Sequence, residues 1–415
     1  MTEPVGDGDR RTALVVAAVG GLAFVALAWW LVPWDPVPGG ALAPVPAESV
    51  FSSAEIQRAE EFSRWARVWS WSSLVLSLLL ACWFGFTRRG RALFQRLRGP
   101  WWLQVVQAVV VLALAGRLLT LPFAVAQRML RRDYGLSNQP WSGFAVDLLK
   151  GELVGIVLTA LGLVVVIACA RRWRRAWPAV AGGLLVALIA VGSFVHPVVI
   201  EPIFNDFTPL AEGPLRTEIF AVADEEGVPI DDVLVADASR RTTTLNAYVS
   251  GFGGTRRVVV YDNLVESLPQ DQALSVIAHE LAHARHHDVV TGTALGSAGA
   301  LLGVGLLALL LGRLRRRGWP EMGEPGVVPV LLALVAVASL VTAPVQNGIS
   351  RQIETRADVD ALGTTGDSQA FADMQRELAR RSLADPTPMA WSHWWFGSHP
   401  TVLMRIALAV RMDRD

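Results

Sequence analysis

Seven stretches of this chain are long and apolar enough to cross a membrane, which leaves few folds open to it. Residues 12–32, 68–86, 101–126, 153–170, 176–200, 289–312 and 327–347 hold no more than one charged side chain each. At 1.5 Å rise per residue, about 18–20 residues cross a hydrocarbon core of about 30 Å. Inside that core only a helix or a closed barrel satisfies its own backbone. The first run is too long for the apolar core of a cleaved signal peptide, and no clean small-x-small site follows it, so it reads as a span. Composition agrees. Hydrophobic residues make up 52 % of the 415, charged residues 18 %, and the mean hydropathy is +0.39, against about 25 % charged in an average soluble chain. Disorder, a collagen-like fibre and a nucleic-acid-binding tail are excluded, and with 37 basic and 37 acidic residues no global field favours a nucleic-acid partner. Cys82 and Cys169 both lie in apolar surroundings and make no disulfide framework.

The arginines orient the spans. On the side of the N-terminus stand Arg10 and Arg11, a group from Arg88 to Arg98, a group from Arg171 to Arg175 and a group from Arg313 to Arg317, fifteen in all. The loops on the other side, 33–67 and 127–152, hold seven basic residues among eight acids. The positive-inside rule puts the N-terminus in the cytoplasm and both large polar regions, about 201–288 and 348–415, outside it. Within the apolar runs, Arg117 is costly enough to require water or a partner. His196-Pro197 reads as a helix end, and Trp391, Trp394, Trp395 and Phe396 as an aromatic belt at the membrane surface.

Short patterns organise the polar parts. Ser52-Ser53-Ala54-Glu55 is a capping box opening a helix into the second span. After the fifth span, a helical stretch at 214–226 precedes three β-rich runs, 233–236, 243–249 and 257–261, separated by glycine and proline. The next helix, 269–288, carries His279-Glu280-Leu281-Ala282-His283. Residues i and i+4 share a helix face, so both imidazoles can reach one Zn²⁺ at about 2.0–2.1 Å with Glu280 beside its water. A catalytic zinc needs a third protein ligand. The extended His pattern that would supply it nearby fails, since Val289 stands where a histidine is required. A later glutamate is the other common solution. Glu354 is the best candidate, with Asp358 one turn on to accept the second ring N–H of a ligating histidine, although the segment also reads as an ordinary charged helix face.

With these blocks the chain resembles the integral-membrane zinc endopeptidases of the type 1 CAAX prenyl protease family. The matching stretches are 51–65, Tyr134-Gly135-Leu136-Ser137-Asn138-Gln139 with Asp147 and Lys150, 200–205, Asn246-Ala247-Tyr248, 279–283, 354–358, and Ser398-His399-Pro400 with Arg405, in family order. The resemblance implies a mainly α, seven-span α-helical membrane protein enclosing a chamber, capped by a small α+β zincin-like metalloprotease domain. It implies one Zn²⁺ per chain held by His279, His283 and Glu354, with Glu280 as general base and Asp358 behind a ligating histidine. Asn246 and Ala247 match the strand that lies along the substrate backbone, and main-chain pairing suits a peptide of any sequence. His399 and Arg405 match residues near the reacting carbonyl, His399 to stabilise the oxyanion and Arg405 to organise the site. Ala282 stands where relatives usually have glycine.

The expected division is five spans over 1–200, a protease unit with the HExxH helix over 201–288, spans six and seven over 289–347, and the rest of the protease unit over 348–415. The expected partners are a peptide or protein substrate, prenylated or not, and membrane lipid; the expected state is a monomer in the cell membrane. Family members that process prenylated proteins are drawn with the protease domain in the cytoplasm, whereas the arginines here put it on the other face. That conflict keeps a second reading open, a membrane-protein quality-control protease acting on unprenylated chains. An inactive protease-like scaffold is a third. An intramembrane protease is disfavoured, because its HExxH lies inside a span and here the motif sits in a polar helix followed by His286, His287 and Asp288.

Overall fold

The computed structural model describes residues 7–251 and 253–414. Among these, seven helices are long and apolar enough to cross a membrane, and each matches one of the seven runs to within a residue or contains it. In chain order the first part comprises α1 (Asp7–Leu31), α2 (Ser53–Phe86), the short α3 (Arg88–Phe94), α4 (Trp101–Asp133), α5 (Trp141–Arg172), α6 (Trp177–Val195) and α7 (Glu201–Phe204). A single wide π-helical turn, His196–Ile200, joins α6 to α7 and makes the fifth span continuous. The capping box at the head of α2 is formed, with Ser52 N–H donating to Glu55 at 2.8 Å and Glu55 N–H donating back to the Ser52 hydroxyl at 3.3 Å.

Helix association in lipid rests on close packing. The α11 helix (Asp288–Arg315) meets α1 through glycines. A Cβ on Gly20 would lie 2.3 Å from the Leu302 nitrogen, and one on Gly305 would lie 2.4 Å from the Ala17 nitrogen, so the backbones approach only because both side chains are absent. The intramembrane Arg117 of α4 finds its partner on α5: its Nε donates to Glu152 at 2.7 Å.

The polar part continues with β1 (Phe207–Pro209), α8 (Pro214–Glu225), β2 (Asp232–Ala236), β3 (Ala247–Ser250), β4 (Arg257–Tyr261), α9 (Asp262–Ser267) and α10 (Gln270–Arg285). The four strands form one sheet in the order β1-β2-β4-β3, parallel between β2 and β4 and antiparallel elsewhere, which leaves β3 on an edge. Two details differ from the sequence expectation. β1 is three residues ending in Pro209, too short for a pattern and tolerable only beside an open edge. The strand expected from 243 begins at 247, because residues 242–244 spend their hydrogen bonds elsewhere: Asn263 donates to the Thr242 and Thr244 carbonyls, and Thr243 donates to the Gly135 carbonyl.

After α11 come α12 (Val328–Thr365), α13 (Ser368–Ser382), α14 (Ala390–Phe396) and α15 (Val402–Met412). The seventh span and the segment carrying Glu354 are one unbroken helix of 38 residues, α12. The passage from 347 to 348 is thus a change of surroundings along one helix. Its polar end joins α13 and α15 to the sheet side, in a core that includes Ile219, Val258, Ile277, Leu281, Phe371 and Leu408.

Candidate metal centre

The α10 helix buries Ala273, Ile277 and Leu281 against the sheet, which turns the His279 and His283 face towards α12. It stops at Arg285; His287 takes a left-handed φ of 57°, and Asp288 opens α11. His279 Nε2 and His283 Nε2 stand 3.2 Å apart, and Glu354 completes a triangle at 3.3 Å from the first and 3.7 Å from the second. Two atoms each about 2.0–2.1 Å from a tetrahedral zinc are themselves about 3.3 Å apart, so this spacing fits a shared metal.

The hydrogen bonding fits one as well. His279 Nδ1 faces Asp358 Oδ1 at 2.9 Å and His283 Nδ1 faces Asp288 Oδ2 at 2.9 Å. With each Nδ1–H donated to a carboxylate, both Nε2 atoms present lone pairs. They point at Glu354, whose buried Oε2 has no hydrogen-bond partner among the described residues. Three acceptors converging within 4.8 Å ask for a cation.

Around this group lie the other expected residues. Glu280 follows His279 on α10; burial raises its carboxyl above the ordinary glutamate value, and the flanking histidines pull it back. Asp358 is 1 % exposed, and the part-buried Arg405 of α15 grips both of its oxygens, through Nε at 2.8 Å and through Nη2. Arg405 therefore stands behind His279, not over the open side of the group. His399 is on that open side. Its side chain is 58 % exposed, with Nε2 at 3.4 Å from Glu354 Oε2. The loop that carries it hangs from α14, which α12 holds by hydrogen bonds from Asn347 to the Trp395 carbonyl and from Trp395 Nε1 to the Leu340 carbonyl, at 2.5 and 3.0 Å. Trp391, Trp394 and Phe396 remain exposed, and Trp71 of α2 packs 5.1 Å from Trp391. His196 lies apart from the group, 3.7 Å from Glu201. Asp288, which no sequence pattern had singled out as a partner, reaches His283 across the left-handed residue His287 that separates α10 from α11.

One cavity of about 1680 Å³ connects these parts. At the protease end Asn246, Ala247, His279, Glu280, His283 and His399 line it; at the other end it is walled by Leu163, Val166, Leu310 and Leu331. Along α12 it reaches from Glu354 to Leu331, about 35 Å at 1.5 Å per residue, the depth of a bilayer core. It exceeds the roughly 300–1,000 Å³ of small-ligand sites.

Comparison with known proteins agrees with this architecture. Residues 209–412 match the model of peptidase family M48, and residues 41–206 match that of the CAAX prenyl protease N-terminal region, described as five membrane helices. The uncharacterized metalloprotease YhfN of Bacillus subtilis is 30 % identical over 316 residues, 75 % of this chain and 74 % of that one. The CAAX prenyl protease 1 homolog of Oryza sativa is 30 % identical over 300 residues, 69 % and 68 % of the two chains. Among solved structures, the crystal structure of S. mikatae Ste24p superposes with a TM-score of 0.78 at 20 % identity, covering 99 % of this chain and all of that one, a likeness of fold. The chain belongs to peptidase family M48, as a membrane metalloendopeptidase of the CAAX prenyl protease type.

Proposed function

We propose that the protein is a zinc endopeptidase that cleaves peptide bonds at the head of its bilayer-deep cavity. The observation that carries this reading is the meeting, in one cavity, of three converging ligand atoms, an adjacent carboxylate and an open strand edge. His279, His283 and Glu354 hold the metal, one per chain. When bound, zinc acts as a Lewis acid, polarising the scissile carbonyl and lowering the pKa of water towards about 7. Glu280 takes the proton as the water oxygen attacks the carbonyl carbon, then delivers it to the leaving amine nitrogen. The substrate runs beside β3, pairing its backbone with Asn246 and Ala247. His399, on the open side of the metal group, donates to the oxygen on which charge develops. Arg405 positions, fixing Asp358 and through it His279. Asp358 holds His279 in the tautomer that presents Nε2.

The relatives named as CAAX prenyl proteases extend the reading to chains with a prenylated C-terminus, and the apolar far end of the cavity suits an isoprenoid. The arginine asymmetry supports the second reading, a quality-control protease facing out of the cytoplasm and acting on unprenylated chains. In both, the protein works as a monomer in lipid and engages no nucleic acid.

Mass-spectrometric mapping of cleavage by the purified protein in detergent tests these together. Matched peptides with and without a C-terminal farnesyl cysteine, and an unfolded polypeptide, are offered to wild type and to Glu280→Gln. Cleavage confined to the farnesylated peptide, three residues from its end, supports the prenyl protease. Cleavage of unprenylated chains by wild type alone supports quality control. No cleavage of any substrate returns the protein to a scaffold.

A further inference from the structure

We propose that Asp288 and Arg356 form a second positioning pair for the metal, acting through His283 as Asp358 and Arg405 act through His279. The inference rests on the metal reading above and adds to it two residues to which neither motif nor resemblance gave a role.

Asp288 is only 10 % exposed, and its two oxygens serve different partners. Oδ2 accepts from His283 Nδ1 at 2.9 Å, and Oδ1 accepts from Arg356 Nη2. Arg356 lies on α12, two residues past Glu354. The site therefore contains two strings of the same composition, His279–Asp358–Arg405 and His283–Asp288–Arg356. In each, a carboxylate fixes an imidazole's tautomer and ring angle, and a guanidinium fixes the carboxylate. Losing an outer partner of this kind typically costs about 10–100-fold in metal affinity or activity. Arginine suits the task because its planar fork fixes orientation as well as charge.

The two strings differ in what they anchor. The first ties α10 through Asp358 of α12 to α15. The second ties His283 to the first residue of the sixth span and, through Arg356, to the helix bearing Glu354. Asp288 thus holds the second histidine and the carboxylate ligand in register across the start of a membrane helix.

The competing explanation is local: an acid in the first turn of α11 stabilises that helix whatever the metal does. Zinc affinity separates the two. The full-length protein in detergent is stripped of metal and titrated with zinc against a chromophoric chelator, as wild type, Asp288→Asn, Arg356→Lys and Asp358→Asn. Asp288→Asn should weaken zinc by about 10–100-fold, a loss of the order of that in Asp358→Asn. Arg356→Lys, which keeps the charge and loses the fork, should lose less. The Co²⁺ form of Asp288→Asn should also show a shifted visible spectrum, reporting altered ligand geometry. Wild-type zinc affinity and an unshifted Co²⁺ spectrum in Asp288→Asn, with thermal stability lowered equally with and without metal, would leave only the helix-start role and overturn the proposal. Should Asp288→Asn not be recovered folded, Arg356→Lys decides: a measurable loss of zinc affinity supports the pair, and wild-type affinity overturns it. A wild type that binds no zinc would overturn the metal reading itself, and with it this one.

Discussion

Glu280 and His399 line the same cavity as His279, His283 and Glu354, and their removal should fail in different ways. Neither belongs to the group that could hold a metal ion. Glu280→Gln should keep wild-type zinc content and lose about 10²–10⁴-fold in kcat, the usual share of a general base; metal analysis beside steady-state kinetics checks both halves. His399→Ala should lower kcat by about 10²–10³ with little change in KM, as expected of a donor that acts on developing charge. A purely structural His399 would instead lower thermal stability with kcat unmoved. The sequence showed His279, Glu280 and His283 plainly, since helical spacing alone puts the two imidazoles on one face. Glu354 was legible only as the best of several acids until the family blocks were set beside it. Asp288 was not legible at all. Its place beside His283 depends on one left-handed residue, His287, and no pattern of side chains announces a left-handed histidine between two helices.

At the scale of elements, α11 uses its glycines in two ways. Gly305 lets α1 touch, whereas Gly296 faces the cavity with nothing within 4 Å of where its Cβ would be. Gly305→Val should therefore push α1 from α11 and lower the melting temperature in detergent, while Gly296→Ala should leave it at or slightly above wild type, since alanine favours a helix by about 1 kcal/mol over glycine. Equal effects would mean that the close approach does not stabilise the fold. The spans themselves were easy to read, because lipid leaves an apolar run of that length only one structure. The sheet was harder. β1 and the start of β3 are fixed by contacts distant in sequence, Phe207 with Ala236 and the 242–244 backbone with Asn263, and such contacts outweigh local propensity. The length of α12 is hidden for a different reason: the shift from apolar to polar residues near 347 falls in mid-helix.

For the whole molecule, the arginines bear on which way it faces. Fifteen arginines on one side against seven basic residues on the other predict that a reporter enzyme fused to the C-terminus is active only outside the cytoplasm. Activity of a cytoplasmic reporter would reverse the assignment and favour the prenyl protease reading. The unbroken α12 bears on a different property. Helices tilt to match the thickness of the bilayer around them, and Glu354 rides on the extension of the seventh span, seven residues beyond 347 and so about 10 Å past it. A tilt change of about 5° would then carry the carboxylate about 1 Å, and a misplacement of about that size can cost about 100-fold in rate. Turnover in vesicles should peak at one acyl-chain length and fall on both sides of it with zinc content constant; a flat response would mean that the soluble part holds Glu354 independently of the span. The metal centre would in that way be tuned by the lipid in which the protein sits, and a cell could alter proteolysis by changing its fatty acids.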